Sequence, residues 1–266
     1  MLRLLKALPL TLAIAAVSIV ATSCSSNNGT KARFVNAIEN TDQYGPGNGG
    51  ALNVEVNGTQ QFSNVTFASP GSTYTAIPAG NVTFEGFESP GVTTSVFTDS
   101  TTLSGGTQYT EVATGQAGGT GTNAVVLLSL SDDNSLPNDG TLNFRVINAA
   151  LNASPSPNGS VDIWIEPAPY SGFSLVQPAT IRNLAYQSAS GYVNFRYNSN
   201  PGGGFTVFVY TVGLGAEVGT PLIPPDTISV SGSQTSASVC TLVLVDNANS
   251  NSMSTPIQLD DNNCAI

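Results

Sequence analysis

The sequence predicts an all-β protein: two tandem antiparallel β-sandwich domains of immunoglobulin-like or Greek-key type, following a cleaved signal peptide. Three observations predict it. Apolar and polar residues alternate in short stretches such as Val82-Thr83-Phe84, Tyr192 to Tyr197 and Phe205 to Val209, the period of a strand with one buried face. Amphipathic helical patterns are nearly absent after residue 23. The chain also repeats itself, and a repeat fixes domain number better than length does.

The repeat is read from four segments in the same order. Arg33-Phe34-Val35-Asn36-Ala37 returns as Arg145-Val146-Ile147-Asn148-Ala149. Leu52-Asn53-Val54-Glu55-Val56-Asn57 returns as Val161-Asp162-Ile163-Trp164-Ile165-Glu166, with apolar residues at the same alternate places. Asn64 to Ser69 returns as Asn183 to Ser188, and Thr102-Leu103-Ser104 as Thr227-Ile228-Ser229. The spacing drifts at Pro167 to Thr180 and Asn198 to Gly203, so the extra residues belong to surface loops, where insertion costs little. Pro78-Ala79-Gly80 reads as a hairpin turn. Seven or so strands per unit with one apolar face must pair face to face to leave water. The expected boundaries are a signal peptide at 1–23, a polar tether at 24–30, a first sandwich at 31–134, a linker at 135–140 around Pro137-Asn138-Asp139-Gly140, and a second sandwich at 141–266.

The first residues carry an address. Arg3 and Lys6 precede an uncharged apolar run from Ala7 to Val20, 14 residues, too short to span hydrocarbon comfortably as a helix and suited to a signal peptide. Val20-Ala21-Thr22-Ser23-Cys24 then resembles the lipobox of bacterial lipoprotein precursors. That resemblance implies cleavage before Cys24 and diacylglycerol on the cysteine, with more than one acyl chain, palmitate included. Each buried methylene contributes roughly 0.8 kcal/mol, so more than one chain holds the protein firmly. Ser25, where an aspartate would favour the inner membrane in the enterobacterial pattern, implies outer-membrane placement. The alternative is an ordinary secretory signal with an incidental cysteine. Either way the chain is expected to be extracytoplasmic.

Composition narrows the partners. Arg3 and Lys6 leave with the signal, so five basic residues face 17 acidic ones and the mature net charge is −12. Such a surface repels phosphate backbones and anionic head groups, which argues against nucleic acid and leaves membrane contact to the lipid. Charged residues make up only 9% of the chain, a composition typical of secreted β proteins. With Cys24 acylated, Cys240 and Cys264 form an even pair in an oxidising compartment and are expected to be disulfide-bonded. On the loop-closure model this stabilises by about 3 kcal/mol.

An Arg-aliphatic-Asn-Ala opening, an alternating strand like Leu52 to Val56, an Asn-x-x-aromatic-x-Ser segment, a tyrosine and a Pro-Ala-Gly turn together look like the bacterial domain of unknown function 4397. Both repeats fit in outline, although the Pro-Ala-Gly turn occurs only in the first. The resemblance implies small β-sandwich domains, often in tandem on exported or lipid-anchored proteins, with no catalytic residues attached. Openings in that family often place histidine before the alanine and a Ser-Pro-Asp-Ala-Pro stretch after it. Here Asn36 and Asn148 stand at the first place and the stretch is missing.

The chemistry available is limited. The chain has no histidine, the commonest general base and metal ligand, so histidine-dependent hydrolase triads are excluded. Lys31 is the last lysine and adjoins the tether. Asp162, Glu166, Glu85 and Glu88 would allow a carboxylate-based glycoside hydrolase only if two of them face each other across a cleft. Gly45-Pro46-Gly47-Asn48-Gly49-Gly50 is followed by Ala51 and Leu52 rather than Lys and Ser/Thr, and reads as a turn instead of a phosphate loop. Asp132-Asp133-Asn134 and Asp260-Asp261-Asn262-Asn263 lack the spacing of a calcium loop and read as solvated strand ends. No metal and no cofactor is expected.

Trp164 supports the one sharper reading. If Val161, Ile163 and Ile165 face the core, then Asp162, Trp164 and Glu166 point outward, with Tyr170 and Phe173 in the following loop. A ring flanked by carboxylates suits sugar stacking. The alternative is that Pro167 to Thr180 folds over the ring as a satellite core. The expectation is a non-enzymatic, lipid-anchored cell-envelope protein, a surface binding or structural module. Its partners would be the membrane through the lipid, and a carbohydrate or another envelope protein. The alternative is a carbohydrate-active protein, binding sugar through Trp164 or hydrolysing it.

Overall fold

The computed structural model describes residues 29–39, 50–69, 73–91, 93–151, 159–168, 178–196, 204–213, 221–223, 229–231, 237–247, 250–253, 257–262 and 264. Expectations that fall on residues 1–28, on Cys24, on Gly45 to Gly49, on Tyr170 and Phe173, and on Thr227 and Ile228 lie outside them. Among the described residues regular structure is all strand apart from one 3-10 turn at Gly121–Asn123.

The first half supplies β1 (Lys31–Glu39), β2 (Ala51–Val56), β3 (Thr59–Val65), β4 (Thr75–Ala76), β5 (Gly80–Ser89), β6 (Ser95–Leu103), β7 (Gln108–Gln116) and β8 (Val126–Asp132). They form two sheets, β4-β1-β7-β8 and β3-β2-β5-β6. The second half supplies β9 (Thr141–Asn148), β10 (Val161–Ala168), β11 (Ile181–Leu184), β12 (Ser188–Ala189), β13 (Val193–Arg196), β14 (Gly204–Thr211), β15 (Ser229–Ser231) and β16 (Ser238–Leu244). The short pair β17 (Asp246–Asn247) and β18 (Ser250–Met253) follows, then β19 (Ile257–Asn262). Its two large sheets run β12-β9-β16-β19, with β13 also on β9, and β11-β10-β14-β15. The fold is all-β and sandwich-like. It is not purely antiparallel, because β1 pairs β7 and β9 pairs β16 in parallel.

Each half has its own core between its two sheets. Phe34, Leu52, Val54, Phe62 and Phe84 meet in the first, where the Phe34 ring lies 5.7 Å from Phe62 and 6.2 Å from Phe97. Phe144, Val161, Ile163, Val207, Val209 and Leu242 meet in the second. A third cluster joins the halves: Val35, Ala37 and Val112 pack with Ile147, Val243, Val245, Ile257 and Leu259. The sheets holding β1 and β9 therefore lie back to back, giving four layers. This explains two different burial rhythms. Strands β1, β7 and β16 are buried almost without interruption, as expected of strands covered on both faces. Strands β2 and β5 alternate, with one face wet.

The turns follow local chemistry. Asn57 and Gly58 both take positive φ, 52° and 73°, between β2 and β3, the conformation a two-residue hairpin asks for and Asn-Gly tolerates. Pro78-Ala79-Gly80 is different from expectation. Strand β4 belongs to the sheet of β1 and β5 to the sheet of β2, so this segment carries the chain between sheets and is not a hairpin. Gly80, at φ 93°, turns the corner.

Candidate functional site

The two asparagines of the repeat do the same work. Asn36 Nδ2 donates to the carbonyls of Gly50 (2.9 Å) and Val65 (3.1 Å), while Asn148 Nδ2 donates to those of Gly159 (2.9 Å) and Leu184 (3.0 Å). Each backbone carbonyl in turn accepts an amide, from Ala68 at 3.0 Å and Gln187 at 2.8 Å. Both donors sit at positive φ, 51° and 58°. Asn36 and Asn148 thus staple the first strand of each half to the run-in of the second strand and to the end of the third, each donating to buried backbone carbonyls.

Between the back-to-back sheets lies a second duplicated feature that sequence reasoning missed. Arg33 Nε donates to Thr110 Oγ1 at 2.9 Å, and Arg145 Nε to Thr241 Oγ1 at 3.1 Å. The guanidinium of Arg33 lies 4.9 Å from the Tyr74 ring centre, that of Arg145 4.7 Å from Tyr192, within cation–π range. Asp132 accepts from Thr110 Oγ1 and from Tyr74 Oη at 2.6 Å. Asp261 accepts from Thr241 Oγ1 at 2.6 Å and Tyr192 Oη at 3.1 Å. Each half therefore holds an Arg-Thr-Tyr-Asp quartet.

The ion pairs cross over. Arg145 Nη2 reaches Asp132 of the first half at 2.5 Å, and Arg33 Nη2 bonds Asp261 of the second. Arg33 lies 4.0 Å from the Asp132 carboxylate. The carboxyl groups of both aspartates have 0% exposure and the arginine side chains about 5%. Burial pulls the Arg33 guanidinium down and the charges of Asp261 and Asp132 outweigh it, so the net shift is upward. Burial also pushes the Tyr74 and Tyr192 hydroxyls well up, keeping them protonated as donors. The expectation that the two acidic runs are solvated ends is thus corrected at Asp132 and Asp261. Asp133, next to Asp132, behaves as a turn residue: its Oδ1 accepts the Ser135 amide at 3.1 Å.

Glu88, Glu111 and Asp246 are buried as well. Glu111 on β7 faces the first core with no exposure. Its Oε1 accepts from Ser129 Oγ at 2.9 Å and its Oε2 meets no hydrogen-bond partner among the described residues. Desolvation pushes its carboxyl up to about 8, with a hydrogen bond from Ser129 opposing and the charges of Asp132 and Asp99 adding.

The Trp164 face is as assigned, but it is covered. Val161, Ile163 and Ile165 enter the second core, and Trp164 lies on the other side of β10 with Phe208 and Tyr210, against Ala179. The three rings are 4–5% exposed, and Trp164 meets Tyr210 edge to face at 5.4 Å. A ring so enclosed presents no stacking surface, and Ala179 belongs to the insertion that was the candidate cover. Asp162 accepts backbone amides from Asn183 at 2.7 Å and Gly213 at 3.2 Å, as Asn53 accepts that of Asn64 at 2.9 Å. It holds turns. Glu166 is half-buried beside Thr206 on β14. Among the described residues no cluster of three or more acidic, Cys or His side chains could hold a metal ion. Cys240 and Cys264 are bonded, their Cα atoms 5.4 Å apart.

Residues 30–155 match the family model described as "Domain of unknown function (DUF4397)". No curated protein matches the chain. Among solved structures, one described as "Alpha-glucan binding by a streptococcal virulence factor" is 10% identical with a TM-score of 0.25, covering 85% of this chain and 96% of that one. Another, "Product complex of a multi-modular glycogen-degrading pneumococcal virulence factor SpuA", is 11% identical with a TM-score of 0.25, covering 87% of this chain and 22% of that one. Likeness at this level says nothing about what the present chain binds.

Proposed function

The chain is a DUF4397 domain-containing protein, and from that premise we propose that it works as a non-enzymatic module of the cell envelope, held at the membrane by lipid on Cys24. The observation that supports this reading best is where its charge is spent. Arg33, Arg145, Asp132 and Asp261, four of the few charged side chains in a sequence with no histidine, are buried in contacts that weld two sandwiches together. Glu111, whose carboxyl burial pushes up to about 8, sits inside a core with a serine for company. The carboxylates that accept from hydroxyls, Asp132 from Thr110, Asp261 from Thr241 and Glu111 from Ser129, are all shut away from solvent and so from any substrate. A rigid four-layer body close to the bilayer suits a structural or binding element, and the acidic surface favours a neutral or cationic partner over nucleic acid.

Two measurements test the reading. Mass spectrometry of the N-terminal peptide from the producing cell is expected to find acylated Cys24. An unmodified Cys24, or one bonded to Cys240 or Cys264, overturns the anchor. The purified chain from residue 25 onward, offered a panel of polysaccharides and peptidoglycan, is expected to release no sugar. Turnover that disappears in Glu166→Ala or Asp162→Ala overturns the non-enzymatic claim in favour of a glycoside hydrolase.

A further inference from the structure

The halves differ in what holds down the strand that delivers the buried aspartate. Leu128, Leu130 and Asp132 on β8 occupy the places of Ile257, Leu259 and Asp261 on β19: both sets line the contact between the back-to-back sheets. Past Asp132 the chain is tied by side chains, since Asn134 Nδ2 donates to Tyr74 Oη at 3.3 Å and also to Gln108. Past Asp261 the tie is covalent, through Cys264 to Cys240. Strand β19 pairs only with β16 among the described strands, and its register shifts between Val239 and Cys240. Cys240 pairs with Asp260 and Val239 with Asn262, so Asp261 is the extra residue of a bulge, a device that re-aims a side chain and weakens the local ladder. A carboxylate on an edge strand, at a bulge, must hold a buried guanidinium in place.

We infer that the Cys240–Cys264 disulfide is a redox-sensitive lock on the contact between the two sandwiches, acting through Asp261. Both cysteines are buried, Cys264 at 7% exposure less deeply than Cys240 at 2%. An external dithiol that supplies the two electrons therefore attacks Cys264 Sγ with its thiolate, and the S–S bond breaks and frees the Cys240 thiol. The second thiol of the dithiol resolves the mixed disulfide, freeing the Cys264 thiol while the dithiol closes to a disulfide. With the staple gone, the bulged end of β19 frays. Arg33 then loses its closest carboxylate and retains Thr110 and the more distant Asp132. A buried charge left short of its partner is costly, and the contact between the sheets loosens from that end. Fraying therefore reaches the first half, more than two hundred residues earlier in the chain.

Hydrogen exchange followed by mass spectrometry on the mature chain, oxidised and after treatment with dithiothreitol, tests this. On reduction, exchange is expected to quicken about tenfold or more in 257–262 and also in 31–39 and 126–132, while 82–87 in the outer sheet of the first sandwich stays protected. The oxidised Asp261→Asn variant is expected to quicken 31–39 and 126–132 with the disulfide intact. Loss confined to 237–264 on reduction would make the bond a local staple and overturn the inference. Uniform loss that includes 82–87 would overturn it as well, since that is global unfolding. Unchanged 31–39 in Asp261→Asn would remove Asp261 as the link.

Discussion

In the first sandwich the outward face of the sheet made by β2, β5 and β6 carries Asn53, Glu55, Thr83, Glu85, Thr98 and Ser100, and several bond one another: Thr83 Oγ1 lies 2.9 Å from Ser100 Oγ, and Thr98 Oγ1 donates to Glu85 at 3.4 Å. In the second, the matching face of β10 and β14 carries Trp164, Phe208 and Tyr210 as a closed aromatic cluster. Glu55 stands opposite Glu85 where Trp164 stands opposite Phe208. Yet the inner sheets repeat each other down to single hydrogen bonds, asparagine for asparagine and arginine for arginine. The difference follows from what each surface must match. The inner faces are fitted to one another, so a change on one side needs a compensating change on the other, whereas the outer faces answer only to solvent or to an added loop.

The largest expected effect breaks the symmetric part. Arg145→Ala leaves Asp132 buried without its 2.5 Å partner, and Arg33→Ala does the same to Asp261. Each should cost about 3–5 kcal/mol, the penalty for removing one member of a buried pair. Urea unfolding followed by fluorescence measures it. If the quartets are equivalent the two costs agree within about 1 kcal/mol, a margin set by the usual context dependence of such pairs. A large cost at one arginine and none at the other would show that only one crossing pair holds the contact.

A smaller effect sharpens the asymmetric part. Trp164→Ala empties a covered aromatic cluster and is expected to cost about 3 kcal/mol, the lower end for a buried ring. Glu55→Ala at the matching place should change stability by no more than about 0.5 kcal/mol, as surface substitutions do. Equal and small costs would mean that the Trp164 ring contributes nothing to the fold and is available to a ligand.

Much of this was legible in sequence, and the reasons are specific. Period-two alternation identified β2 and β5 because their outer faces are wet. The Arg-x-x-Asn-Ala repeat marked β1 and β9, since the staple by Asn36 and Asn148 and the quartet arginines require those residues in both copies. The face of Trp164 followed from the repeat alignment and its alternating apolar residues, but its cover depends on tertiary folding of an insertion, which neither encodes. The buried roles of Asp132 and Asp261 were hidden for a related reason. An aspartate at a strand end beside other polar residues has the local pattern of solvent, and only the arginine of the opposite half distinguishes it. That signal was present: a chain with five basic residues after Cys24 spends two of them at repeat-equivalent places inside otherwise apolar strands. The parallel pairing of β1 with β7 was not legible, because parallel partners are fixed by topology and not by turns.

The finest comparison sets one residue against its counterpart. Glu111 stands beside Phe34 on β7 as Leu242 stands beside Val146 on β16, so one core buries a carboxyl where the other buries an aliphatic side chain. The native carboxyl titrates near 8 against an ordinary value of 4.5. Between those values the folded chain keeps a proton that the unfolded chain has released, so the folded state binds more protons and stability falls as pH rises. This contribution is intact below about pH 4.5, declines by about 1.4 kcal/mol per pH unit in the middle of the window, and levels off once the native carboxyl ionises above about 8. Glu111→Leu removes the titration and gives the first core the residue of the second. Its unfolding free energy, measured by urea titration at pH 5.5, 6.5 and 7.5, should lack that decline, and its advantage over the parent should widen with each step. An advantage that stays constant across the three pH values would mean that Glu111 ionises in the folded chain as readily as in the unfolded one, and that its burial beside Ser129 does not hold the proton.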